Sequence, residues 1–166
     1  MRILLSRLSN THHRLEIVRD DGSRESADLV SRSFLLHDLL HFAVESEAGL
    51  KEGFWGLLAR GTPLAKLNDR ENAMKAFEPG VELGLAESVV GPMTALVQGK
   101  IDAAGLVRAF HEQFRVKADH VPDWLTEGFV MRVMERMRRL LGQWKATRFG
   151  DRMELGWPPE RQQPEH

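Results

Sequence analysis

The hydrophobic period of this chain changes once, at Ser31, and that change constrains the fold more than any other feature. Before it, apolar and polar residues take turns, as they do in a half-buried strand. "RILLSRL" is short and branched-apolar, and "HHRLEIVR" sets Leu15 and Ile17 on one face with Arg14, Glu16 and Val18 on the other. Asp20-Asp21-Gly22 separates this segment from a third one around "SRESADLV". Asp-Gly accepts the positive φ of a tight hairpin turn, so three antiparallel strands are predicted.

From Ser31 onward the spacing is helical. "SRSFLLHDLLHFAVESEAG" carries Leu36, Leu39, Leu40 and Ala43 at helix intervals, with Ser31 or Ser33 placed to cap its start and Gly49 its end. A shorter helix is predicted in "LKEGFWGLLARG", closed by Gly61-Thr62-Pro63. The polar stretch "PLAKLNDRENAMKAFEPG" reads as a connection with one helical turn. Three more helices follow. Pro92 predicts a kink or break in the first, Asp102 should cap the second, and Asp123 should cap the long third. A last strand is expected at Met153 to Trp157. The predicted fold is α+β: a small antiparallel sheet of three or four strands, the N-terminal meander and a C-terminal strand, packed against about five helices. Residues 1–158 are expected to form a single domain, and 159–166 a disordered tail.

Composition narrows the chemistry. With 23 Lys and Arg against 24 Asp and Glu, the chain lacks the net basic footprint of a dedicated nucleic-acid binder. It contains no cysteine, so disulfides, thiolate metal sites and thiol catalysis are excluded, and any metal must be held by His, Asp or Glu. The apolar run in "MRILLSRLSN" is too short for a signal-peptide core or a membrane span, so the expected location is the cytoplasm, with no membrane partner.

The chemistry-bearing segment is "FLLHDLLHFAVESE", Phe34 to Glu47. At ~100° per residue, Leu36, Leu39, Leu40, Ala43 and Val44 share one arc of the helix. His37, Asp38, His41 and Glu45 form a compact stripe that also includes Phe34, and Leu35 and Phe42 close the circle. A helix so broadly apolar is buried on most sides, where a His–Asp–His–Glu stripe needs partners. Histidines at i and i+4 lie about 6 Å apart along the axis and can aim two imidazoles at one ion, the geometry used by HExxH zinc proteases. Here Asp38 stands where that motif has Glu. The expected metal ligands are His37 and His41 with Glu45 as the third, and Asp38 is an orienting group or a general base. His37 and Glu45 are about 12 Å apart along the helix, so all three do not easily share one ion. Other ligands must come from elsewhere, and His12, His13, Glu87, His111, Glu112, Asp119 and His120 are available. An ordinary polar stripe, with Asp38–His41 and His41–Glu45 as side-chain pairs, accounts for the same residues without a metal.

"HDLLH" resembles the HDxxH metal motif of a family of ubiquinone-biosynthesis proteins. That family's pattern places Glu twelve positions after the second His, where this chain has Gly53, with Glu52 the nearest acid. The resemblance covers five residues of 166 and implies nothing for the rest.

Elsewhere the signals are structural. Glycines 49, 53 and 56 in "GLKEGFWG" match no phosphate-binding loop and suit a cap or close packing. Arg132, Arg136, Arg138, Arg139, Lys145 and Arg148 read as a solvated face, and Met131, Met134 and Met137 as core or interface. There is no GxSxG motif. The expected function is a metal-binding protein, in its enzymatic form a metal-dependent hydrolase, with zinc or another divalent metal and a metal-bound water as nucleophile. The alternative is a non-catalytic interaction or oligomerisation domain without a metal, using the sheet edge or the Met-rich helix. The expected partner is accordingly a small molecule or a protein, including a second copy of the chain as a homodimer.

Overall fold

The computed structural model describes residues 1–69, 81–117 and 120–159. The three N-terminal segments form β1 (Arg2–Arg7), β2 (His12–Val18) and β3 (Arg24–Val30). The turn between β2 and β3 holds Gly22 at φ 85°. The C-terminal strand β4 (Arg152–Gly156) pairs antiparallel with β1, giving the order β3-β2-β1-β4. The register aligns Ile3 with Ile17 and Leu5 with both Leu15 and Met153, so one face of the sheet is continuous apolar core. The opposite face carries cross-strand ion pairs, Arg14–Asp28 at 2.6 Å and Arg2–Glu154 at 3.3 Å, around a buried Leu4.

Six helices are present among the described residues: α1 (Ser31–Ala48), α2 (Phe54–Ala59), α3 (Leu64–Asn68), α4 (Val81–Val97), α5 (Ala103–Val116) and α6 (Glu127–Ala146). The α+β class is thus as the period change predicts, with one helix more than expected. The stretch 70–80, the end of the predicted polar connection, lies outside the described residues, as do Asp119 and residues 160–166 of the expected tail.

Helix α1 is the hub. It packs on β2 and β3 on one side and on α2, α4 and α6 on the others. Its stretch from Asp38 to Glu45 is buried without interruption, polar residues included. No residue separates β3 from α1, so the strand runs directly into the helix and the predicted serine cap does not form. Val30 occupies the N-cap position with no side-chain bond, and Ser31 Oγ instead meets His13 Nδ1 at 3.0 Å. At the other end Gly49 adopts φ 68° and its N–H bonds Glu45 O, the predicted left-handed stop.

Asp102 caps α5 as expected, accepting from Gly105 N at 2.7 Å. Asp123 does not cap α6. Residues 122–126 form tight turns, Trp124 packs 4.7 Å from Phe129, and Thr126 accepts from Phe129 N at 3.1 Å. Helix α4 runs through Pro92 without a break. The missing N–H falls on its outer side, beside exposed Gly91, while Val89, Val90 and Met93 anchor it in the core. Of the three methionines on α6, Met137 is core and Met131 is exposed.

The glycines around α2 serve close approach. A Cβ on Gly56 would stand 1.9 Å from the Lys51 carbonyl oxygen, and one on Gly53 would stand 2.3 Å from Glu45 Cδ. Gly56→Ala is therefore expected to lower stability by about 1–3 kcal/mol, the ordinary scale of overpacking, as read by urea denaturation. An unchanged midpoint would show that the Lys51 turn yields freely.

Candidate metal centre

The polar stripe of α1 faces α4, and there it meets one more acid. Glu87 lies on α4 between Leu83 and Val90, on the buried side of that helix. His41 Nε2 stands 3.1 Å from Glu87 Oε1, and His37 Nε2 stands 3.6 Å from Glu87 Oε2. The two imidazole centroids are 4.5 Å apart. Among the described residues His37, His41 and Glu87 form a group that can hold a metal ion, with one ligand atom from each inside a 4.8 Å span. Ligands about 2.1 Å from a shared ion stand roughly 3.4 Å apart across a tetrahedron, so small side-chain rotations would close the group on an ion.

Each histidine has a carboxylate behind it. His41 Nδ1 meets Glu45 Oε1 at 3.0 Å, and His37 Nδ1 meets Asp38 Oδ1 at 3.3 Å. A carboxylate on Nδ1 fixes that proton and leaves Nε2 as the position for a metal or, without one, a second proton, the usual support of a metal-bound imidazole. In both rings Nε2 is the atom turned toward Glu87.

Glu45 is fully buried and sits on the far side of His41 from Glu87. Its oxygens also accept the first N–H groups of α2, from Phe54 at 2.7 Å and from Trp55 at 3.1 Å. Gly53 has no side chain to block that approach. The expected third ligand is thus placed as a brace joining α1, α2 and the His41 ring. Asp38 is likewise buried, with Oδ2 lacking a hydrogen-bond partner among the described residues.

The site's electrostatics centre on His41. Burial alone would lower its pKa, but Glu45 and Glu87 outweigh burial and push it up to about 9. Burial alone would raise Glu87; His37 and His41 outweigh it and hold that carboxyl well below the usual carboxylate range. Although 3.1 Å from Glu87, His41 Nε2 is not aligned into a hydrogen bond with any described acceptor. It is a close ion pair around a point that a proton or a cation can occupy. His41 is fully buried, whereas His37 and Glu87 are 21% and 35% exposed, so the group opens to solvent on one side.

The remaining available residues are elsewhere. His12 is at the exposed strand end, His120 is 86% exposed beside Asp123, and Glu112 pairs with Arg115 on the outside of α5. His13 is buried under α1. Glu87 had a sequence signal: in "VELGLAESVV" it is an acid on the apolar face of a helix.

No protein-family model, curated protein or solved structure matches this chain. Among the described residues no helix is long and apolar enough to cross a membrane.

Proposed function

We propose that the chain is a mononuclear metalloprotein of the hydrolase type, with His37 and His41 Nε2 and a Glu87 oxygen as the three protein ligands. The observation that carries this is His41 Nε2, buried and unaligned, with its other nitrogen held by Glu45 and two further donors in front of it. Two imidazoles and a carboxylate suit zinc or another divalent transition metal. Three protein ligands are typical of catalytic sites, where structural zinc takes four, and the remaining position would face the side on which His37 and Glu87 reach solvent. An ion there supplies Lewis acidity and lowers the pKa of water. Asp38 and Glu45 then act on the imidazoles, and Asp38 is a positioning group rather than the base.

The test is metal content of untagged protein by elemental mass spectrometry, beside Glu87→Gln and His37→Ala. Close to one equivalent in the parent, lost in both variants while their helical circular dichroism is kept, is the expected result. No metal after loading with zinc, iron(II) or manganese would overturn the proposal. A metal-binding parent is then assayed on ester, amide and phosphoester panels. Hydrolysis abolished by Glu87→Gln supports the enzymatic reading; metal without turnover on any class would limit it to binding.

A further inference from the structure

We propose that His13, on β2, is a positioning residue for this centre: its Nε2–H is donated toward Asp38 Oδ2 through one water, and so locks Asp38 onto His37. This rests on the metal reading above and extends it by one shell into the sheet.

Two buried polar atoms, His13 Nε2 on β2 and Asp38 Oδ2 on α1, lack hydrogen-bond partners among the described residues. They complement each other. Burial holds the His13 imidazole below its ordinary range, with the nearby Asp38 charge acting against that effect and His12 adding to it. A neutral ring carries one proton. Ser31 Oγ lies 3.0 Å from His13 Nδ1, and a serine hydroxyl can donate there, which leaves the proton on Nε2. Trp144 packs edge-on against the same ring at 5.9 Å and keeps it from turning to solvent. Asp38 is an acceptor at both oxygens: Oδ1 faces His37 Nδ1, and Oδ2 has a free lone pair. The order Ser31–His13–Asp38–His37 then has one consistent set of protons, in which every donor meets an acceptor and His37 Nε2 is left bare.

Groups bonded directly to a metal ligand, as Asp38 is to His37, typically change metal affinity by 10–100-fold. The experiment combines zinc titration against a chromophoric chelator with imidazole ¹⁵N spectra of the metal-free protein at mildly alkaline pH. The variants are His13→Leu, His13→Gln and Asp38→Asn. The parent should show His13 protonated on Nε2 and His37 on Nδ1. His13→Leu should weaken zinc by about tenfold, the lower end of that range, because it acts on the ligand only through Asp38. His13→Gln, whose amide can place an N–H near the same point, should recover most of that loss. Asp38→Asn can present its amide N–H₂ to His37 Nδ1, which should move the His37 proton to Nε2 and abolish its ligation. If His13→Leu does not fold, the other two variants carry the test.

An His13 proton on Nδ1, a His37 tautomer indifferent to Asp38→Asn, or equal zinc loss in His13→Leu and His13→Gln would overturn the proposal. The expected tautomers without zinc binding in the parent would instead overturn the metal reading and leave the relay standing.

Discussion

Replacing Glu45 with alanine should destabilise the metal-free protein by about 3–5 kcal/mol, the range for removing one partner from a buried charged pair. Three donors converge on this carboxylate: His41 Nδ1, Phe54 N and Trp55 N. Each buried donor left unsatisfied costs about 1–3 kcal/mol. Glu45 is fully buried, so water cannot replace it without opening the packing around Gly53 and α2. Glu45→Gln keeps the shape and one acceptor but turns an N–H₂ toward a donor, so its loss should be smaller and still measurable. Urea unfolding in the presence of a chelator separates the two roles available to this residue. A ligand removed from a metal-free protein costs little or adds stability by relieving charge, whereas a brace costs the full amount. If Glu45→Ala unfolds at the parent's urea midpoint in chelator and loses metal only, Glu45 is a ligand and the brace assignment fails.

The same residue shows where the sequence is informative. Within one helix, spacing is geometry, so the His37–Asp38–His41–Glu45 stripe and its burial follow from counting residues at 3.6 per turn. The strands, the Gly22 turn, the Gly49 stop and the Asp102 cap are legible for the same reason: each depends on neighbours close in the chain. The partner of the stripe is not. Glu87 is separated from His41 by α2, α3 and the segment before α4, and only packing of α1 on α4 joins them. Its one local sign is an acid on an apolar helix face. Capping fails for a related reason. Ser31 and Asp123 are sound cap residues, but β3 leaves no loop before α1, and the packing of Trp124 on Phe129 passes the cap of α6 to Thr126. The contacts of Glu45 lie beyond spacing as well: it is picked out as functional by its place in the stripe, while its hydrogen bonds to the α2 backbone depend on a glycine that the spacing does not connect to it.

His41 should make the metal-free protein lose stability as pH rises and leave the metal-loaded protein level over the same range. Its pKa is raised from 6.5 to about 9 in the fold, by Glu45 and Glu87 acting against burial. A raised pKa means that the folded state holds the proton more tightly than the unfolded chain. The corresponding stability is complete below pH ~6.5 and is lost as pH rises through about 9, a loss on the order of 3 kcal/mol. Glu87 reports the same ion pair from its acid side: its pKa is depressed, so its contribution is present above its ordinary value and fades as pH falls toward the folded one. The two are one interaction and count once. A metal must take the place of the His41 Nε2 proton, so binding below pH ~9 releases that proton and apparent affinity should rise by up to about tenfold per pH unit. Stabilisation by a fixed concentration of zinc follows affinity and therefore grows over the range in which the proton's contribution disappears. Thermal melts from pH 6.5 to 9, in chelator and in zinc, read both slopes. A chelated protein whose stability is level across that range would show that His41 carries no extra proton in the fold. Zinc stabilisation that fails to grow with pH would show that His41 Nε2 is not a ligand, whatever else binds the ion.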